Sequence, residues 1–371
     1  MQALIRIAAV LLTVVALPLA GAAWDGRSPG AYLGFPPRTA AVTPAPFAWP
    51  VFLLGAAAVA AVLIPFLVRI LRHAGCAQPA PAAGRLPAWG WAALVLLVVS
   101  WAAAWGAFGG PEALRRHAFT TLWLGYIGLA NAWTARRAGT CLLTRRPATV
   151  AGLLAASAVF WWGFEYLNQF TRNWHYLGLA ARGDWGYFLA ASPPFATVLA
   201  AVLSTRDLLA TYPRLSAGLG DAWRPPLPGR TGRSAACLLL GAAALVAVGA
   251  DGERFFPLLW LGPLLLIWGV QGLAGEPTLL DDAAAGDWRP LWLAALAALA
   301  CGLLWEMWNA GSLARWQYAV PYVDRFRLFA MPALGYAGYL PFGLECVAAA
   351  GLVFGGRRTD LRRGLPGVAD T

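Results

Sequence analysis

The chain has 371 residues, 60% of them hydrophobic and only 12% charged. Soluble domains carry about a quarter of their residues as charges, so a water-soluble globular fold is excluded. The formal net charge of +11 comes from Arg, with no Lys, and most of these arginines lie in short segments between apolar runs, which reads as membrane topology and argues against nucleic-acid binding.

Apolar runs of about 17–25 residues recur along the whole chain, the length needed to cross a hydrocarbon layer about 30 Å thick as an α-helix. A β-barrel would show short alternating segments instead. The fold class expected is all-α: a polytopic membrane protein with about ten transmembrane helices.

Residues 1–24 begin with Arg6 and an apolar run and end in PLAGAAW. This is either a signal peptide with an A-x-A-like end or an uncleaved first helix. The uncleaved helix is the expectation, because everything downstream is also membrane. Residues 24–50 are rich in Pro and Gly and read as an extracytoplasmic loop with interfacial aromatics. A second span over 51–68 and a small-residue linker over 74–87 complete a leading unit, 1–87. Eight further spans are expected at 88–107, 119–135, 148–167, 186–204, 234–250, 256–273, 290–308 and 334–355. With the N-terminus inside, cytoplasmic segments hold eighteen Arg and outer segments ten. That bias supports both termini in the cytoplasm, and the inner membrane of a bacterium as the location.

One stretch occurs twice. Residues 161–176 read WWGFEYLNQFTRNWHY and residues 303–318 read LLWEMWNAGSLARWQY. Each has a Glu, an Asn three later, then Trp-x-Tyr: Glu165, Asn168, Trp174, Tyr176 and Glu306, Asn309, Trp316, Tyr318. Leu122–Gly125 and Leu259–Gly262 both read LWLG, and Pro194-Phe195 matches Pro341-Phe342. Spans three to six (88–204) therefore read as repeat A and spans seven to ten (234–355) as repeat B. An arginine-rich cytoplasmic linker (205–233) joins them, and a cytoplasmic tail (356–371) follows. Four helices per repeat is an even number, so the two repeats share one orientation, related by a pseudo-two-fold axis along the membrane normal.

The carboxyls carry the chemistry. Glu165/Asn168 and Glu306/Asn309 are i,i+3 pairs, each on one helix face, at the outer ends of spans five and nine. Ionisable groups inside spans face the bundle interior or a watery cavity and are functional candidates by default. Either each Glu is a general acid or proton carrier, or each Glu–Asn pair is a hydrogen-bonded clamp, with Arg172 or Arg315 as an ion partner. Glu345 lies deeper in the tenth span, and its first-half counterpart is the apolar Val198. That asymmetry marks Glu345 as a candidate for chemistry. Asn168, Asn309, Trp174, Tyr176, Trp316 and Tyr318 are the candidate ligand-binding residues: interfacial anchors, or an aromatic wall over a pocket for an apolar or cationic ligand. No His or Cys spacing suggests a metal site, and no cofactor is expected. The aspartates Asp281, Asp282 and Asp287 form one cluster with no second, which reads as a polar loop. The expected partners are membrane lipids and an apolar small molecule.

Glu306, Asn309, Tyr318, Pro341 and Glu345 together resemble a pattern in the repeats of the membrane-embedded lycopene cyclases of carotenoid synthesis. There an acid is followed by Asn, a Tyr-bearing loop and a span opening with Pro and an acid. The resemblance covers 303–345 and, less well, its first-half counterpart. It implies a metal-free, acid-initiated reaction on an isoprenoid chain, with Glu345, Glu306 or Glu165 as the acid. The chain departs from the family pattern, Pro-x-Glu-Glu or Pro-x-Glu-Asp, by placing Gly343 and Leu344 before Glu345. The loop PYVDRFRLFAMPALGYAGYLPFGLE (321–345) also resembles that of multi-pass bacterial membrane proteins with no assigned activity. The two function classes expected are thus an acid–base enzyme on an apolar isoprenoid-type lipid and a proton- or cation-coupled transporter or channel-like protein using the same carboxylates.

Overall fold

The structure is a computed structural model that describes residues 2–77, 83–106, 109, 112–178 and 183–355. The tail 356–371, Arg182 and the middle of the 74–87 linker lie outside the described residues. The described chain is predominantly helical, with very little sheet. α1 (Gln2–Trp24) and α2 (Trp49–His73) lead. α3 (Ala88–Ala104), α4 (Glu112–Ala138), the single turn α5 (Leu142–Arg145) and α6 (Pro147–Thr171) follow. Strand β1 (Trp174–Leu177) precedes α7 (Gly183–Phe195) and α8 (Val198–Ala210). Next come α9 (Arg230–Ala250), α10 (Gly262–Leu273), the short α11 (Leu279–Ala284) and α12 (Arg289–Gly311). Strands β2 (Arg315–Tyr318), β3 (Arg327–Leu328) and β4 (Met331–Pro332) then lead through a 3-10 segment, Ala333–Gly338, into α13 (Tyr339–Phe354).

Eight helical stretches of the described residues are long and apolar enough to cross a membrane, so this is a multi-pass membrane protein. All ten expected spans are helical, but two fall short of that standard. α3 is apolar yet only 17 residues long. α4 is long, but its middle is diluted by Thr120, Thr121, Tyr126 and Asn131 and its ends carry Arg115, Arg116, Arg136 and Arg137. The outward surface of the helices is apolar: Leu53, Leu54 and Val62 on α2, Val95 and Val98 on α3, and Leu239 and Leu240 on α9 are all exposed. Exposed apolar area this extensive is stable only against lipid.

The core is one contiguous cluster running from α1 to α13. α1 belongs to it. Its Val10, Val14 and Ala22 are buried, and it crosses α9 so closely that a Cβ on Gly249 would lie 2.1 Å from the Pro18 carbonyl oxygen. One turn before Pro18 the Tyr166 hydroxyl donates to the Val15 carbonyl at 2.8 Å. Arg27 donates to the last carbonyls of α9, Gly249 and Ala250, which the helix itself leaves unsatisfied. Gly249→Leu should therefore force α1 off α9 and cost about 1–3 kcal/mol. A wild-type melting temperature for that variant in detergent would contradict the packing described.

α2 is different. None of its residues is buried, and it touches the bundle near its two ends. At one end Phe66 stacks on Trp292 at 5.5 Å; at the other Leu334 closes on Gly55 and Phe52 meets Phe326.

Two expected boundaries move. The sixth span is two helices, because α7 stops at Phe195 and α8 starts at Val198. The second of these runs on to Ala210, six residues into the expected linker at 205–233. The buried Arg206 lies inside α8, where its guanidinium makes two bonds to Asp207 at 2.6 and 3.0 Å. A charge paired in this way does not terminate a buried helix.

α11 is held by a capping box between Thr278 and Asp281, and Asp281 also pairs with Arg233 and Arg230. Burial alone would raise the Asp281 carboxyl, but the Thr278 backbone N–H and hydroxyl, with Arg233 and Arg230, hold it below its ordinary value of 3.8. A carboxyl held low in the folded state stabilises above the unfolded value, and that contribution is lost as pH falls through the lower folded value. The stability gap between wild type and Asp281→Asn at neutral pH should accordingly close below about pH 4. A gap that persists unchanged at about pH 3 would refute the pairing.

Candidate functional site

The doubled stretch builds a doubled structure. In the first copy α6 carries Glu165 and Asn168 on its last two turns and ends at Thr171. Arg172 then takes a left-handed conformation (φ 53°) and turns the chain back into β1. The Asn168 side chain makes the turn rigid. Its Oδ1 accepts the backbone N–H of Asn173 (2.8 Å) and of Trp174 (3.3 Å), and its Nδ2 donates to the Trp174 carbonyl (2.7 Å). In the second copy Asn309 Oδ1 accepts from the Trp316 N–H (2.8 Å) and Nδ2 donates to the Trp316 carbonyl (2.9 Å). Asn309 and Trp316 are seven residues apart where Asn168 and Trp174 are six, which is the unequal Glu-to-Trp spacing: β1 opens on its Trp, and β2 opens one residue earlier, on Arg315.

The Trp-x-Tyr pairs are strands. β1 and β2 pair antiparallel with Trp174 opposite Tyr318, His175 opposite Gln317 and Tyr176 opposite Trp316. Each Trp thus faces the other copy's Tyr. Side chains alternate along a strand, so Trp174, Tyr176, Trp316 and Tyr318 share one face of the ribbon, turned inward, and His175 and Gln317 share the other.

Both carboxyls receive that inward face. Glu165 Oε1 accepts from Tyr176 O–H at 2.7 Å, Trp161 Nε1 at 2.9 Å and Trp174 Nε1 at 3.0 Å. Glu306 Oε1 accepts from Tyr318 O–H at 2.7 Å, Tyr339 O–H at 2.9 Å and Trp316 Nε1 at 3.4 Å. Glu165 is 1% and Glu306 0% exposed. The expected clamp is corrected in its details. The asparagines bond the following strand, not the carboxyls. Neither Glu forms an ion pair with Arg172 or Arg315 among the described residues, because those side chains do not reach inward past the ribbon's aromatic face.

Between the two clusters lies a cavity of ≈ 120 Å³. Its walls include Trp161, Trp174 and Tyr176 from one copy and Trp316, Tyr318 and Tyr339 from the other. These six side chains are the donors to Glu165 and Glu306, so the carboxyls stand one ring behind the wall on opposite sides. Trp260, Trp305, Phe119 and Phe195 extend the aromatic lining, and Arg116 is its one charged residue. Arg116 is already engaged, donating to Glu112 and to the Gly178 carbonyl.

The break between α7 and α8 also faces this cavity, through Pro194, Phe195 and Val198. Non-helical backbone inside a membrane must be satisfied by protein, and Ser157 of α6 does so. Its hydroxyl donates to the Phe195 carbonyl (2.6 Å) and accepts the Leu199 N–H (3.1 Å). From the other half, the 3-10 segment before α13 contributes Gly335 and Gly338.

Glu345 is elsewhere. It is fully buried on α13, which packs against α12, α10, α8 and α6, and neither carboxyl oxygen has a hydrogen-bond partner. It does not line the cavity, whereas its counterpart Val198 does. Among the described residues, no three His, Cys, Asp or Glu side chains converge as metal ligands.

Several wall residues went unseen in the sequence although signals for them existed. Trp161 precedes Glu165 by one helical turn and shares its face. Trp260 is the Trp of the second LWLG. It stacks on Phe164 at 5.1 Å, much as the first LWLG's Trp123 meets Trp305 at 5.0 Å. Tyr339 stands two residues before the Pro-Phe pair and carries no signal of its own. Comparison with known protein families, with curated proteins and with solved structures finds no match to this chain.

Proposed function

We propose that this membrane protein binds a cationic ligand in the cavity between its two carboxylate clusters and works as a proton- or cation-coupled transporter. The observation that carries this reading is the broken α7–α8 helix opening onto a cavity backed by two buried carboxyls that have no cationic partner among the described residues. Broken helices at the interface of internal repeats are where transporters hold substrate and coupling ions. Glu345, buried without a hydrogen-bond partner and apart from this cavity, is not needed by this reading.

The wider architecture proposed with it is two parallel four-helix repeats after two leading helices, ten spans in all, in a bacterial inner membrane with both termini cytoplasmic. The packing supports the repeats. α3 lies on α4 as α9 lies on α10, and α4 meets α8 as α10 meets α13. The arginine bias supports the orientation.

A second reading is a metal-free acid–base enzyme acting on an apolar isoprenoid-type lipid, as the lycopene cyclase resemblance implies. The apolar cavity walls favour it. Geometry ranks it second, because an acid that protonates a double bond must touch it. Glu165 and Glu306 stand behind phenol and indole rings, and Glu345 does not reach the cavity.

The test is solute and proton flux into liposomes holding the purified protein, with lipid extracts assayed in parallel for a product. Flux that Glu306→Gln stops supports transport. A new lipid product that Glu306→Gln abolishes, with no flux, would replace that reading with the enzyme.

A further inference from the structure

We infer that the cavity is a site for an organic ammonium group, a nitrogen bearing alkyl substituents, in preference to a metal ion. The inference rests on the reading that the cavity holds positive charge and names the chemistry of the ligand.

The wall is built from the side chains that recognise such a group. An alkylated ammonium is drawn to aromatic faces within about 6 Å, Trp best of all, and cages of this kind bind choline and methylated amines. Five indoles line this cavity: Trp161, Trp174, Trp260, Trp305 and Trp316. The positive edges of the rings next to the carboxyls are already occupied, since the N–H or O–H of each is bonded to Glu165 or Glu306. The donors of these six lining rings are therefore already spent on the carboxyls.

The charge balance agrees. Neither Glu165 nor Glu306 has an ion-pair partner among the described residues, and Glu306 Oε2 is buried with no hydrogen bond. The one lining cation, Arg116, pairs with Glu112. A guest cation would thus stand between two carboxyls that have no cationic partner among the described residues.

The same wall is poor for a metal ion. A hard cation such as Ca²⁺ needs about six to eight oxygen ligands at close range. The hydroxyls lining this cavity are Tyr176, Tyr318 and Tyr339, and all three already donate to the carboxyls. An alkylated ammonium needs no such shell. The volume of ≈ 120 Å³ accepts a group of several heavy atoms, since a single water needs only about 10–15 Å³.

The ammonium group has two sources, a free organic cation or the headgroup of a choline-type lipid, and the experiment separates them. The full-length protein in detergent is titrated while its tryptophan fluorescence is followed. The probes are tetramethylammonium, choline, a short-chain phosphatidylcholine below its micellar concentration, the neutral choline isostere 3,3-dimethylbutan-1-ol, NaCl and KCl. The expected result is saturable quenching by an ammonium probe at least tenfold tighter than by the neutral isostere. Glu165→Gln/Glu306→Gln should weaken it tenfold or more and leave the isostere unchanged. Gln keeps the acceptor oxygen, so near-UV circular dichroism should stay that of the wild type. Response to tetramethylammonium or choline identifies a free cation; response to the phosphatidylcholine alone identifies a headgroup. Saturable, carboxylate-dependent binding of Na⁺ or K⁺ with no ammonium response would overturn this inference and leave the cation-site reading standing. Equal affinity for the neutral isostere, unaffected by the Gln variants, would overturn both.

Discussion

Glu165→Gln/Glu306→Gln is expected to fold and to lose ligand binding and flux. Each Gln keeps an oxygen that accepts the three donors converging on the native Oε1, so the ribbon and the aromatic wall stay in place. What changes is charge. At an effective dielectric of about 20, a unit charge set one ring back from a guest cation contributes on the order of 1–3 kcal/mol. Each 1.4 kcal/mol is a factor of about ten in affinity. Each single variant should weaken binding by roughly ten- to a hundredfold, and the double variant by more. A melting temperature near that of the wild type, with flux abolished, is the expected pair of results. Unchanged flux in the double variant would show that the carboxyls only hold the wall.

Asn168→Ala is expected to have the largest effect on stability. The side chain satisfies the buried N–H groups of Asn173 and Trp174 and the carbonyl of Trp174, and it donates to Thr39 in the loop after α1. Removing it leaves buried backbone groups without partners, at about 1–3 kcal/mol each, so a loss of about 3 kcal/mol or more is the expected total. Asn168→Asp keeps the acceptor and loses the donor, and should fall between the two. Asn309→Ala should behave likewise but more mildly, since Asn309 bonds one residue, Trp316, in place of several. The readout is thermal unfolding with protease accessibility of the ribbon. Equal stabilities for Asn168→Ala and the wild type would mean that the turn after α6 holds its shape unaided.

The doubled Glu-x-x-Asn…Trp-x-Tyr was legible as a repeat, yet its purpose was not. Trp-x-Tyr was read as an interfacial anchor or as an aromatic wall over a pocket, in either case in a loop and not a strand. Its spacing of two is the period of a strand, but two residues are too few to show a period, and the partner strand lies 142 residues away, since Trp174 and Trp316 open equivalent pairs. The Glu–Asn spacing of three was likewise read as one shared face with a mutual hydrogen bond. In the structure the two side chains divide the work: Asn shapes the turn, and Glu collects the rings that the turn delivers. The contrast between Glu345 and Val198 was legible too, but of the two it is Val198 that lines the cavity. Val198 reaches the cavity because α7 breaks just before it, and no hydropathy pattern reports a break at Ala196–Thr197 that Ser157 repairs from another helix.

By itself the sequence determined that the chain lies in a membrane as a set of helices. Hydrophobic runs and scarce charge are local properties, and the cost of exposing backbone to lipid leaves helix as the solution for each run separately. It also determined which residues recur as a set. Only the tertiary structure decided that the two sets face each other across one cavity, that the arginines of the neighbouring turns stay outside it, and that a third carboxyl is buried apart. Those outcomes depend on contacts between residues far apart in the chain, where packing and hydrogen-bond satisfaction, and not local composition, select the arrangement.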